Sequence, residues 1–338
     1  MEKIIKRIYN YSILNGSFNN DIGLAYGKSA WVLLLFKYAS ISESCQNDLP
    51  FNILEEVIDQ INEKTPLNFS DGIAGFGSLL EFLNIHNYLN DDASRILEDV
   101  EPELLKTVYA GNFDSINIAK GSAGFGLYMY FRLVSESWNE PLLKARIREA
   151  LILIIDVLKR NVNLGVAKDC FGIIRFLQKI IKLKIYEPVT TELCKSYCQQ
   201  LETIVNVNNS LPYISYQFLL FENERLRANA ATNILNQIAE LAAFPSESGI
   251  VKATFYLCLL QYHTTIYDFK EIRQDVKKMI LKINSEFERF SMEQIFPFNK
   301  NANSVNIGLD YGVSCLGLSC LSLVTDDYSW LDLCTNYE

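Results

Sequence analysis

Histidine is nearly missing from this chain: His86 and His263 are the only two. That leaves little room for a centre built from several imidazoles. Basic residues are short as well, with 31 Lys+Arg against 40 Asp+Glu, a formal net charge of −9 and no long basic run. An electrostatic grip on nucleic acid is therefore not expected. No uncharged run is long enough to span a bilayer, so stable membrane insertion is not expected either. Residues 1–9 carry charges through their apolar positions and hold no signal-peptide core. The cysteines (Cys45, Cys170, Cys194, Cys198, Cys258, Cys315, Cys320 and Cys334) form no paired framework, and several fall on apolar helix faces. A reduced, cytoplasmic protein is the expectation. Strand-like alternation between turn signals is missing too.

Apolar residues make up 49% of the chain, enough for one large domain or two ordinary ones. They are organised around one recurring device, a glycine-rich start followed by an almost wholly apolar helix. The clearest copies are Asp71-Gly72-Ile73-Ala74-Gly75-Phe76-Gly77 and Lys120-Gly121-Ser122-Ala123-Gly124-Phe125-Gly126. Looser copies open at Tyr26-Gly27-Lys28, near Gly165, at Ser248-Gly249-Ile250 and at Tyr311-Gly312-Val313. The segment 212–221 is apolar without a glycine and falls midway across a doubled gap, as a decayed unit would.

Between these lie segments with a single apolar stripe. Residues 52–64 carry Ile53, Val57, Ile58 and Ile61; residues 142–160 carry Ile147, Leu151, Ile154 and Leu158. Residues 93–109 read as another, interrupted by Pro102, and 268–290 as a further one. Helices apolar all round are buried on every side, and striped ones coat a surface. The early glycine starts recur every 45 to 50 residues, roughly the length of a two-helix unit. An open solenoid needs polar capping repeats, and here the first and last units are as apolar as the middle ones. The pattern predicts an all-α chain, an α/α toroid of about seven helix pairs with an apolar inner ring and an amphipathic outer ring. With no linker-like stretch, residues 1–338 read as a single domain.

In such a ring the inner helices' N-termini gather at one face. Small residues there allow close approach, and free backbone N–H groups would face a central cavity suited to a polar or anionic group. The starts are not nucleotide fingerprints: Gly72, Gly75 and Gly77 reverse the Rossmann spacing, follow no strand and lack a P-loop Lys-Ser/Thr. Of the polar residues placed at that face, Asp71 and Ser248 suit helix caps. Lys168, Glu247 and Lys252 are harder to explain as caps. With Asn117 and Asp310 they are the candidate ligand contacts.

The glycine starts at Gly72 and Gly121 resemble those of the lanthionine synthetase C-like (LanC-like) family, whose fold is a toroid of about seven helix pairs. The resemblance implies a lanthipeptide-type pathway, which modifies ribosomally made peptides, with a precursor peptide or a peptide-modifying enzyme as partner. It also implies a zinc ion held by two cysteines and a histidine, which activates a peptide thiolate for addition to dehydrated Ser or Thr. This sequence departs from the pattern at those positions. The fifth start reads Asn209-Ser210-Leu211-Pro212, without the family's Trp-Cys; the sixth reads Glu247-Ser248-Gly249, where Cys-His-Gly would stand. Asn117 replaces an acidic residue, and Lys168 replaces a histidine. The expected reading is a member without the zinc site and without a cofactor, acting by binding. One alternative is an active cyclase with an unusual metal site drawn from Cys170, Cys315 and Glu247. Another is a glycosidase-like toroid enzyme, with carboxylates among Asp71, Glu247 and Asp310 flanking one bond.

Overall fold

The structure, a computed structural model, describes residues 1–42, 48–89, 93–98, 100–135, 140–162, 167–207, 227–243, 249–267, 270–299 and 304–334. Among them every regular element is helical, apart from one isolated bridge between Asn299 and Ser304. The helices are α1 (Glu2–Gly16), α2 (Lys28–Ala39), α3 (Leu49–Gln60), α4 (Ile73–Ile85), α5 (Ala93–Glu98), α6 (Glu101–Ala110), α7 (Ser122–Val134) and α8 (Pro141–Arg160). They continue as α9 (Ala167–Lys182), α10 (Glu187–Val207), α11 (Arg227–Ala243), α12 (Gly249–Ile266), α13 (Lys270–Phe287), α14 (Met292–Ile295) and α15 (Val313–Thr325), with a closing 3₁₀ turn, Ser329–Leu333. The apolar segment 212–221 and the start at Glu247 and Ser248 lie outside the described residues.

The two helix types alternate as the pattern requires. In α4 every residue from Ile73 to Leu83 is buried, and in α15 every residue from Val313 to Leu323. In α8 only one face is, with Ile147, Leu151, Ile154 and Leu158 inaccessible to solvent. In α3 the core face is Leu54 and Val57; Ile53 and Ile58 from the expected stripe are only half-buried. Pro102 does interrupt its helix: α5 ends before it and α6 holds it in the first turn, where a missing N–H costs nothing.

Contacts divide the chain into two compact units. Unit 1 comprises Met1–Asp21, Tyr26–Leu54 and Tyr213–Cys334, and unit 2 is formed chiefly by Glu55–Pro212 with the short segment Ile22–Ala25. In unit 2 the apolar helices run side by side, α4 on α7 and α7 on α9, with α8 backing α7 and α10 backing α9. The third glycine of each good motif makes the flat spot that this packing needs. The Tyr128 ring lies where a Cβ on Gly77 would be, and the Phe176 ring does the same at Gly126.

In unit 1, α12 packs on α15, and α15 packs on α2 and α1. The last apolar helix thus lies directly on the first, with Leu34 of α2 filling the hollow at Gly317 of α15. The acidic, aromatic tail folds onto the same helices. Trp330 is buried and donates its indole N–H to Ser322 at 2.8 Å. Buried Lys37 of α2 bonds Asp327 at 2.5 Å and the Ser329 hydroxyl at 2.7 Å. Burial opposes the charge on Asp327, but Lys37 and Ser329 outweigh it and hold its pKa below the usual carboxylate range. A depressed carboxylate contributes stability above its unfolded pKa and loses it as pH falls through the folded value. Because Asp327 is partly exposed, the expected cost of Asp327→Asn is about 1 kcal/mol. Limited proteolysis of the tail should speed up severalfold in that variant at neutral pH and converge with the parent rate in acid.

Candidate functional site

Four glycine starts, two in each unit, share one backbone design. The first helical residue donates to a carbonyl seven residues upstream: Ile73 to Pro66 at 2.9 Å, Ser122 to Ser115 at 3.1 Å, Val313 to Asn306 at 3.0 Å and Lys28 to Asp21 at 2.7 Å. The preceding loop folds back over the helix start, and the cap glycine leaves room for it. Their backbones are extended, so left-handed freedom is not the reason for glycine here. Space is: a Cβ on Gly72 would sit 1.9 Å from the Pro66 oxygen, and one on Gly121 2.4 Å from that of Ser115. The fold-back also sets where two helices start: α2 begins at Lys28 and the last α-helix at Val313, because the residues just before them form the returning loop.

Two expectations are overturned by this geometry. The first N–H groups are not free for an anion. The second helical N–H is taken as well, Ala74 by Leu67, Ala123 by Ile116 and Ser314 by Ile307. Nor does Asp71 cap α4. Gly72 is the cap residue and accepts no side-chain bond, while Asp71, one position earlier, pairs with Lys120 at 3.2 Å. Asn117 serves the loop: its Oδ1 accepts the Lys120 N–H at 2.9 Å and the Ser115 hydroxyl at 3.1 Å. Asn68 accepts the Asp71 N–H in the same way at 2.8 Å. Lys168 stands in the first turn of α9, its side chain outside the described structure; Glu247 lies outside it entirely.

A cleft of about 710 Å³ lies in unit 1, at the starts of α2 and α15. Its walls include Asn19, Asp21, Tyr26 and Tyr311 on one side and Phe296, Phe298, Asn299 and Ser304 from the loop before α15. Two amides hold it open: Asn19 donates to the Tyr26 and Val305 carbonyls at 3.0 and 3.1 Å, and Asn306 to the Asp310 carbonyl at 2.7 Å. Two of the candidate contacts touch residues of its wall. The Tyr26 hydroxyl donates to Asp310 at 2.5 Å, and the Lys252 ammonium lies 4.8 Å from the centre of the Tyr311 ring. Tyr311 has a left-handed backbone (φ 50), a conformation that costs a non-glycine residue about 1 kcal/mol or more and collects at functional sites. Burial raises its phenol pKa, and the neighbouring Tyr256 hydroxyl at 3.3 Å adds to the shift.

No family model matches the chain, and no curated protein matches it.

Sequence reasoning missed the loop side of this cleft. The 298–306 stretch reads only as a polar, Asn-rich loop, and nothing local says that Phe298 stands 50% exposed at a cavity mouth. Of the residues proposed for an alternative metal site, Cys170 is in unit 2, Cys315 is in unit 1, and Glu247 lies outside the described residues. Burial pushes Cys170 up to about 12, with Asp169 adding to it, and pushes Cys315 well above the ordinary thiol value. Among the described residues no three His, Cys, Asp or Glu side chains are grouped to hold a metal ion. His86 packs 4.3 Å from Phe82 at the end of α4, and His263 stacks on Tyr267 inside the last turn of α12. Of the carboxylates, Asp71 belongs to unit 2 and Asp310 to unit 1.

Proposed function

We propose that this chain is a divergent LanC-like α/α toroid of about seven helix pairs that binds a precursor peptide, or the enzyme that modifies it, in a lanthipeptide-type pathway. The observation that carries the fold reading is the packing of α15 on α2 at Gly317. A chain whose last apolar helix covers its first needs no polar capping repeats. The repeated fold-back starts support the family resemblance, because they come from the motif positions that carry it. A cleft of about 710 Å³ with aromatic and amide walls suits a peptide segment.

The residues do not fit the family's zinc. The fifth start holds no cysteine, and at the sixth Glu247 and Ser248 stand where the ligands would. No chemical step is therefore assigned to a metal. What this chain's residues offer is a rigid, water-accessible wall that can orient a bound chain.

The test uses untagged protein and a dehydrated precursor peptide that keeps its cysteines. Co-elution with an affinity in the micromolar range is expected, about −7 to −8 kcal/mol. The peptide's free-thiol count should stay unchanged by mass spectrometry after alkylation, and zinc should be well below one equivalent. Thiol loss above a protein-free control, or near-stoichiometric zinc, would put the active cyclase first. Binding neither to the peptide nor to its modifying enzyme would sink the reading.

A further inference from the structure

We infer that the tail after α15 governs the cleft: its docked turn, Ser329–Leu333, holds the Tyr311 wall in shape, and release of the turn lets that wall relax. The cleft's use as a peptide site is taken from the proposed function; the coupling itself needs no ligand. Tail and cleft both belong to unit 1. Side chains from three helices hold the tail. Lys37 of α2 bonds Asp327 and Ser329, Gln261 of α12 donates to Asp326 at 3.0 Å, and the Ser322 hydroxyl of α15 donates to the Asp327 carbonyl at 2.6 Å.

One residue touches both ends of the link, the fully buried Phe255 of α12. Its ring lies 6.1 Å from that of Trp330 in the tail and 6.0 Å, edge-on, from that of Tyr311. Both spacings are those of attractive aromatic pairs. The tail's end approaches Tyr311 as well: burial and Tyr256 raise its phenol pKa, and Cys315 and the tail's Cys334 add to the shift. Tyr311 needs such support. Its left-handed backbone (φ 50) is one that a non-glycine residue keeps only where its neighbours over-determine it. Trp330, 1% exposed, is packed against Phe255 with no slack. When Trp330 leaves, Phe255 gains room to withdraw from Tyr311. The Tyr311 backbone then returns to an ordinary conformation, and the cleft loses part of its wall. Packed interiors switch between discrete arrangements in this way instead of deforming smoothly.

The experiment is hydrogen–deuterium exchange by mass spectrometry on the full chain without ligand, for the parent, Asp327→Asn and Trp330→Phe. Each variant loosens the tail, and exchange there should rise about fivefold. Exchange in 307–312, where the Tyr311 N–H is bonded to the Leu309 carbonyl, should rise by a similar factor. The corresponding start in unit 2, 66–73, should not change. In a Phe255→Leu background the tail variants should no longer reach 307–312. Faster exchange in the tail with 307–312 unchanged in both variants overturns the inference, as does transmission at full strength without Phe255. Affinity for the dehydrated precursor peptide should fall about threefold in Asp327→Asn, and saturating peptide should slow proteolysis of the parent's tail by the same factor, because linkage is reciprocal. Linked exchange in a parent protein that binds no peptide keeps the coupling and sinks the peptide-binding reading. Peptide binding that ignores both tail variants sinks the inference alone.

Discussion

Gly124→Leu should fail to fold, or should melt about 8 °C or more below the parent protein. The reason is local and steric. A Cβ at residue 124 would stand 2.0 Å from the Ile118 carbonyl oxygen and 2.8 Å from the Phe69 Cβ. The first of these is backbone in a loop already tied to the helix start by two hydrogen bonds, so neither side can move aside cheaply. Overpacking usually costs about 1–3 kcal/mol; with an immovable carbonyl we expect about 4 kcal/mol or more, among the largest single-substitution effects. Gly75 should behave alike, since its added Cβ would lie 1.9 Å from the Phe69 oxygen. Gly111 is the control. Its left-handed backbone (φ 66) closes α6, and nothing lies within 4 Å of an added Cβ. Gly111→Ala should cost only about 1 kcal/mol, from backbone strain alone. Thermal melting by circular dichroism separates the cases. If Gly124→Leu melts like the parent, the fold-back start is wrongly described.

Arg132→Met should cost about 3–5 kcal/mol, through an electrostatic route instead. Arg132 is buried between two acids, bonding Glu81 at 2.8 Å and Glu101 at 2.9 and 3.3 Å, while the Tyr128 hydroxyl donates to Glu101 at 3.2 Å. Burial opposes the guanidinium charge, but its bonds to Glu101 and attraction to Glu81 hold it firmly protonated. The cluster ties α4, α6 and α7 together, and removing the cation leaves two buried carboxylates facing each other. Burial already raises the Glu81 pKa above its ordinary value despite Arg132. The sign follows from proton counting. Between the unfolded and the raised folded pKa the native state binds more protons, so stability falls as pH rises through that window. The Arg132→Met protein should therefore regain part of its loss in mild acid, and adding Glu81→Gln should rescue it at neutral pH. Melting curves across pH for the single and double variants test this; a pH-independent deficit without rescue would mean lost packing alone.

The charged cluster and the cleft both illustrate what the sequence hides. Glu81 and Arg132 appear as stray charges inside apolar helices, and Glu101 as an ordinary first-turn acid. Their meeting needs α4 and α7 to pack at a particular rotation, which Gly77 and Tyr128 set. Among the candidate contacts, Lys252 and Asp310 each touch an aromatic residue of the cleft wall, Tyr311 and Tyr26, whereas Asn117 is used by its own loop. The anion-binding face was a sound inference from glycine-led helix starts, but it assumed that the loops run away from the helices. They run back over them and take the donors.

What the sequence determined by itself is the all-helical class, the alternation of buried and coating helices and most helix boundaries, including the break at Pro102. Each follows from periodicity, composition or a missing N–H, which act within a few residues. Only the tertiary structure decided why the glycines are there, where α2 and α15 begin, which helices neighbour which and what the cleft is made of. Those depend on a carbonyl six residues away occupying the place of a Cβ, and on Phe296, Phe298 and Val305 lining one cleft with Asn19 and Tyr26. Contacts between residues so far apart in the chain leave no local pattern to read.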